Sequence, residues 1–121
     1  MNIYKVARIC HEANRAICQS MGDYSQPTWK EAPEWQVEST LSGIQNILDG
    51  KIASPQDAQN SWANHKLEQG WTYGPVKDPV AKTHPLLIPY KDLSPMDKVK
   101  DAVFFAIVKA DMDSDAVGEP S

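Results

Sequence analysis

The residues best suited to chemistry lie close together in the second half of the chain, where aromatic and cationic side chains alternate in a segment rich in Gly and Pro. In chain order they are Trp71, Tyr73, Lys77, Lys82, His84 and Tyr90. Flat aromatic faces can stack a base or a sugar, and Lys or His side chains can form charge-assisted hydrogen bonds with phosphate. Residue by residue, the alternative is more common: the rings pack in the core and the lysines are ordinary solvated charges. Both interpretations stay open at this point.

A second group of polar residues, from His11 to Arg15, differs by one residue from the H-E-x-x-H helix of zinc proteases. Arg15 stands where the second imidazole should be, and a guanidinium stays protonated and cannot coordinate zinc. We therefore interpret the group as a polar helix flank. His65 and His84 have no carboxylate or thiol at metal-ligand spacing, and no nucleophile elbow or cysteine-protease signature occurs. The sequence predicts no metal, no cofactor and no catalytic residues, so we expect a protein that is not an enzyme.

Composition narrows the class of partner. The 121-residue chain has a formal net charge of -4, which gives no basic face for duplex nucleic acid. A single phosphate needs only one or two well-placed cations, so this charge is still compatible with a nucleotide. Neither a Walker phosphate loop nor a dinucleotide-binding glycine motif occurs among the 6 glycines. These observations disfavour a classical nucleotide-binding fold and leave a nucleotide-like small molecule open as the partner.

Helical periodicity and capping signals predict four helices that would position these residues. The predicted segments are 3–21, Pro33 to just before Gly50, Ser54 to about Gln69, and Ser94 to beyond Val108. The last two begin with Ser-Pro-x-Asp, which is typical of a capped helix N-terminus. The last helix is apolar nearly all round after Ala102, so we expect it at the centre of the fold.

Two short β-prone runs, 71–73 and 86–88, flank a connection rich in Gly, Pro and Asp between the third and fourth helices. We predict that they pair as a small, irregular hairpin. The expected fold is therefore mainly α with a small β-hairpin, an α+β unit of about four helices in a single domain of residues 1–111. Beyond Met112 the chain is acidic and lacks large apolar side chains, which predicts a disordered tail over 112–121.

The cysteines and the hydropathy pattern indicate the cellular compartment. Cys10 and Cys18 lie on one predicted helix, roughly 12 Å apart along its axis, which is too far for a disulfide. We expect both to be buried free thiols. The N-terminus has no signal-peptide apolar region, and no run approaches the roughly 20 apolar residues of a membrane helix. These features favour a cytoplasmic protein without a membrane partner.

Short motifs follow one another in a fixed order along most of the chain. They are His11-Glu12-x-Asn14-Arg15, Ser61-Trp62, Lys66, Gly70-Trp71-x-Tyr73-Gly74, Lys82-x-His84-Pro85 and Pro89-Tyr90. Over about 6–108 this order resembles the ryanodine receptor repeat domain, in the stand-alone form seen in bacteria and phages. The resemblance implies a compact helical unit beside a small β-element that is not itself an ion channel.

The resemblance also implies a function. Repeats of this type in the calcium-release channels are associated with adenine-nucleotide binding, and stand-alone versions have been proposed to sense or sequester nucleotide-derived signals in phage–host conflict. The ligand-binding residues that it implies are His11, Arg15, Trp62, Lys66, Trp71, Tyr73, Lys77, Lys82, His84 and Tyr90. Because the channel repeats pack in pairs, a homodimer is a further expectation. The alternative is a protein–protein interaction or structural module without a small-molecule ligand, anchored by Trp29 and Trp35.

Overall fold

Helices dominate the fold, and a two-stranded sheet lies between the third and fourth of them along the chain. The computed structural model of the protein describes residues 1–117. Within that range the helices are α1 (Ile3–Ser20), α2 (Glu34–Leu48), α3 (Pro55–Glu68) and α4 (Pro95–Val117), and the strands are β1 (Thr72–Tyr73) and β2 (Thr83–His84). Single 3-10 turns at Trp29–Glu31 and Tyr90–Asp92 precede α2 and α4. The predicted mainly α class is confirmed.

Side-chain caps fix where three of the helices begin. The side chain of Asn2 accepts a hydrogen bond from the backbone N–H of Lys5 at the start of α1. At the start of α3, Ser54 Oγ accepts one from the N–H of Asp57 at 3.1 Å, and a proline follows as the first helical residue. Ser94 caps α4 in the same way. The capping signatures predicted from Ser-Pro-x-Asp therefore act as expected.

The core lies between α1, α2 and α4. Its buried members are Val6, Ala7, Cys10, Ile44, Ile47, Ile52 and Val108. α4 packs against each of the other three helices, which confirms its predicted central position. Both cysteines are buried free thiols, as predicted. Burial raises the pKa of Cys10 to about 11, so this thiol stays protonated near neutral pH.

The sheet differs from the predicted hairpin in both its second strand and its direction. β1 pairs with β2 in parallel, with Thr72 opposite Thr83, whereas the predicted second run, 86–88, forms no strand. The connection explains the difference. Asp78 and Thr83 exchange two backbone hydrogen bonds as an antiparallel bridge, so the chain reverses between Asp78 and β2. Because it also reverses between β1 and Asp78, β2 runs beside β1 in the same direction.

Gly74 permits the close approach of the two strands. A Cβ added there would lie 2.6 Å from the Cβ of Thr83. We expect Gly74→Ala to lower the free energy of unfolding by about 2 kcal/mol, because the overpacked strands must separate. Urea unfolding followed by circular dichroism measures this. Val80→Ala, in the same connection but 95% exposed, should cost less than about 0.5 kcal/mol; equal losses in the two variants would contradict the explanation.

α4 continues beyond the predicted end of the domain. Residues 112–117, which we expected in a disordered tail, belong to this helix as far as Val117. Neither Gly nor Pro occurs between Pro95 and Gly118, so no helix-breaking residue stops it earlier. Residues 118–121 of the predicted tail lie outside the described residues. In the part of the chain that the structure describes, no helix has the length and apolar character needed to cross a bilayer.

Candidate functional site

Four of the predicted site residues come together where α3 meets the sheet. We call Trp62, Lys66, Trp71 and His84 the aromatic–lysine cluster. The rings of Trp62 and His84 meet edge to face with centroids 4.8 Å apart, and the Trp71 ring lies 6.4 Å from that of His84. Lys66 Nζ lies 4.6 Å from the centre of the Trp71 ring, within the range of a cation–π contact. Aromatic faces and one cation thus share a small surface.

Local structure explains how the cluster forms. Trp62 and Lys66 are one helical turn apart on α3 and therefore lie on the same face. Gly70, with a φ of 88°, ends α3 and turns the chain towards β1. Tyr73 stands opposite His84 in the parallel register, and directly opposed residues place their side chains on the same face of a sheet. The exposed ring of Tyr73 therefore extends the surface of the cluster.

Trp35 adds a second indole to Lys66. It lies in the first turn of α2, is 61% exposed, and has its ring centre 5.9 Å from Lys66 Nζ. Trp35 was predicted as an anchor of the interaction alternative, and no spacing pattern in the sequence links α2 to α3. One signal was available: the apolar face of α2 carries Leu41 and Ile44, and Trp35 is not at helical spacing from either. A tryptophan off the core-facing side of a helix needs another explanation.

The hydrogen bonds of His84 fix its tautomer. His84 Nδ1 accepts a hydrogen bond from the backbone N–H of Leu86 at 3.1 Å, so the neutral ring carries its proton on Nε2. Burial, together with the smaller effect of the positive charges of Lys77, Lys66 and Lys100, lowers the pKa of His84 to about 4. At neutral pH this side chain therefore offers an N–H donor and no positive charge.

We expect an NMR titration to place the pKa of His84 near 4 rather than near the ordinary value of 6.5. As the pH falls from 6.5 to 4, the unfolded chain binds this proton before the folded protein does, so His84 makes folding less favourable on acidification. The stability of the wild type relative to His84→Gln should therefore decline over that interval. Burial raises the pKa of Asp101 to about 6; that opposing effect occurs in both proteins and cancels. A His84 midpoint near 6.5 would contradict the account.

Lys66 and Lys77 bring positive charge to the cluster without forming a salt bridge to any residue that the structure describes. Burial lowers the pKa of Lys66, and the charge of Lys77 lowers it further. Among the described residues, no carboxylate lies within salt-bridge distance of either ammonium group, whereas Lys100 pairs with Asp97 at 3.4 Å. Lys66 is thus a half-buried cation held against two aromatic rings, and an anion could neutralise it.

The comparison with protein families agrees with this arrangement. A family model described as RyR domain matches residues 30–105, which is more than half of the chain. The chain belongs to the RyR domain family. The match confirms the resemblance expressed by the Gly-Trp-x-Tyr-Gly and His-Pro motifs. Every member of the aromatic–lysine cluster, together with Trp35, lies inside the RyR domain, whereas His11 and Arg15 precede the matched residues.

His11 and Arg15 hold the segment that leads into the RyR domain. His11 is buried, and its Nε2–H donates to the carbonyl oxygen of Pro27 at 2.7 Å. Glu12 accepts a hydrogen bond from the backbone N–H of Trp29 at 2.9 Å and one from Arg15 at 3.0 Å. That N–H and the Arg15 guanidinium lower the pKa of Glu12. Two of these three contacts, from His11 to Pro27 and from Trp29 to Glu12, tie the chain before α2 to α1. The third pairs Arg15 with Glu12 inside α1.

Lys82 and Tyr90 also contact other parts of the RyR domain. Lys82 has a left-handed φ of 56°, and its Nζ donates to the carbonyl oxygen of Gln69 at 3.0 Å, which satisfies a free carbonyl at the end of α3. The Tyr90 ring lies 5.3 Å from Lys98 Nζ. Lys77 is exposed and influences the cluster through its charge. The structure thus gathers four of the ten predicted residues, with Tyr73 and Lys77 beside them.

Two shallow concavities lie on other parts of α3. One, of about 480 Å³, is lined by polar side chains that include Asp57 and His65. The other, of about 360 Å³, lies between α3 and the segment 87–89. Neither contains a predicted site residue or Trp35. Within the described residues, no group of three or more His, Cys, Asp or Glu side chains is placed to hold a metal ion. A ligand on the cluster would therefore bind outside both concavities.

Proposed function

We propose that this RyR domain is a non-catalytic module that binds a nucleotide or a nucleotide-derived signal on the aromatic–lysine cluster. The observation that carries the proposal is the position of Lys66. Its ammonium group lies 4.6 Å from one indole centre and 5.9 Å from another, and no acidic partner lies within salt-bridge distance among the described residues. A partly desolvated cation without a counter-ion favours an anionic ligand, and flat rings beside it favour a planar one.

The neighbouring groups support both halves of such a ligand. The exposed Lys77 can add a second positive charge for phosphate, since its field already reaches Lys66. The Nε2–H of neutral His84 can donate to a ligand oxygen or ring nitrogen without bringing a further charge. An acidic group is also near: hydrogen bonds from Ser25 lower the pKa of Asp23, and the charges of Lys100 and Lys77 lower it further. The Asp23 carboxylate would disfavour highly charged anions that reach beyond the cluster.

A thermal-shift screen of the purified protein tests the proposal. The screen contains adenine and guanine nucleotides, cyclic dinucleotides, ADP-ribose and its cyclic isomers. A ligand that binds only the folded state must raise its stability by mass action, so we expect a dose-dependent rise in Tm for one class. Chromatography of that ligand after incubation should return it unchanged, because the proposal includes no reaction. A flat screen at millimolar concentrations would overturn the proposal.

The alternative is a protein–protein interaction module, and the exposure of Trp35 is the observation that favours it. An exposed tryptophan is a common interface anchor. The second predicted anchor, Trp29, is half-buried against the core, and its backbone N–H is bonded to Glu12, so it offers little free surface. The two functions separate in the screen, because a pure docking module gives no ligand-dependent rise in Tm.

The biological setting follows from the family resemblance alone. Sensing or sequestration of a signal in phage–host conflict, a cytoplasmic location and assembly as a homodimer are all expectations of that kind. A signal-sequestering module should hold its ligand with slow release and without turnover. Size-exclusion chromatography with light scattering, in the presence and absence of the ligand, checks whether two copies are needed.

A further inference from the structure

The ammonium group of Lys66 contacts the rings of both Trp35 and Trp71. Lys66 Nζ lies over both rings, 5.9 Å from the Trp35 centre and 4.6 Å from the Trp71 centre. The two centres are therefore no farther apart than the combined length of these distances. A planar base stacked between two rings needs a separation of roughly 7 Å, which this spacing allows. The two indoles come from different elements, the first turn of α2 and the chain after α3.

We propose that the base of the ligand inserts between Trp35 and Trp71, in the place that the Lys66 ammonium holds in the free protein, while Lys66 moves with the phosphate. This inference rests on the proposed function and adds Trp35 to its site. It also specifies the ligand: one molecule must carry both a planar base and an adjacent phosphate.

When the base replaces the Lys66 ammonium between the indoles, both Lys66 and the two indoles keep favourable contacts. Lys66 has a flexible four-carbon stem, so its charge can move to a phosphate without displacing α3. The two indoles lose a cation–π contact and gain stacking on a base, an interaction that nucleic-acid-binding proteins use widely. A nucleoside would have to displace Lys66 without offering it a phosphate, and inorganic phosphate would leave the rings unstacked. Base and phosphate therefore favour each other's binding.

Trp35→Leu is the first test, with isothermal titration of ADP, GDP and pyrophosphate. Because one base–aromatic stacking contact is lost, we expect roughly tenfold weaker binding of the nucleoside diphosphate that the wild type prefers. Binding of pyrophosphate should not change. Tyr24→Leu removes another exposed ring, 74% accessible, and should behave like the wild type. If the wild type binds a nucleotide and Trp35→Leu binds it equally well, this inference falls alone; if the wild type binds none, the proposed function falls with it.

Lys66→Ala is the second test, because it empties the place between the rings. The variant should lose affinity for the nucleotide and gain affinity for the matching nucleoside, so that the ratio of the two affinities moves close to one. A stacking site that Lys66 does not occupy would give a nucleoside affinity equal to that of the wild type, and that result would overturn the exchange. The indole N–H signals of Trp35 and Trp71 in NMR spectra report insertion directly.

Discussion

Lys66→Met is expected to abolish most of the rise in Tm that a bound nucleotide produces in the wild type. Methionine retains an apolar chain of similar shape but has no charge, so the phosphate loses its charge-assisted hydrogen bond. Such bonds are worth about 1.5–3 kcal/mol, which corresponds to a roughly 10- to 100-fold loss of affinity. Thermal shift at a fixed nucleotide concentration and isothermal titration both measure the loss.

Two other lysines provide matched controls for Lys66→Met. Lys91 is exposed in the 3-10 turn before α4, so Lys91→Met removes the same charge away from the cluster and should leave the Tm rise intact. Lys82→Met breaks the hydrogen bond to the carbonyl oxygen of Gln69. We expect that variant to unfold at a lower temperature in the absence of ligand and still to show the nucleotide-dependent rise. A Lys66→Met variant that responds like Lys91→Met would remove the basis of the site.

Ile44→Ala should lower the free energy of unfolding by about 3 kcal/mol, within the range for a buried isoleucine replaced by alanine. Ile44 has 0% exposure and lies in the core cluster that α1 and α4 also line. The close-packed surroundings cannot collapse fully into the space, so a cavity adds to the lost transfer energy. Urea unfolding followed by tryptophan fluorescence gives the value.

Ile9→Ala is the control for that measurement. Ile9 is 41% exposed on α1, so the same chemical change should cost less than about 1 kcal/mol. At a temperature where Ile44→Ala is still folded, its affinity for a nucleotide should match that of the wild type, since Ile44 is not part of the cluster. Similar destabilisation by the two substitutions would mean that the core is placed incorrectly.

The helices could be predicted from the sequence because their signals are local. Ser54 and Ser94 each cap a helix whose first residue is proline. Such a cap depends only on a few adjacent residues. The predicted end of the last helix was too early because it was taken from composition rather than from a local stop signal. Acidic composition indicates disorder only on average, whereas a helix packed in the core can continue through residues that do not break it.

The sheet could not be predicted because its pairing depends on contacts across a connection. The run 86–88 has high β-propensity, yet Thr83 of β2 pairs with β1. The turn at Asp78, whose carboxylate accepts hydrogen bonds from the N–H groups of Val80 and Ala81, reverses the chain early and selects the partner. β-propensity indicates that a residue suits a sheet, but it does not indicate which strand it pairs with.

The site could be predicted in part. Trp62 and Lys66 share a helix face by spacing, so their proximity follows from the sequence. Trp71 and His84 were predicted from the alternation of aromatic and cationic side chains in one segment, and the family resemblance implies the same two residues. His11 was an equally plausible ligand-binding residue from its type alone. Its ring nitrogen instead forms a hydrogen bond with the carbonyl oxygen of Pro27, 16 residues away, and helical periodicity gives no information about such a contact. Trp35 was missed for the same reason, because its neighbour Lys66 belongs to another helix.

The indole N–H signals in a ¹⁵N-edited NMR spectrum test the account most directly, because the protein has 4 tryptophans and one of them, Trp29, lies in the contacts with α1. Each nucleotide of the screen is titrated in turn. We predict that one class shifts the signals of Trp35, Trp62 and Trp71 and leaves that of Trp29 in place. If no nucleotide moves the Trp62 or Trp71 signal, or if Trp29 alone responds, the aromatic–lysine cluster is not a nucleotide site.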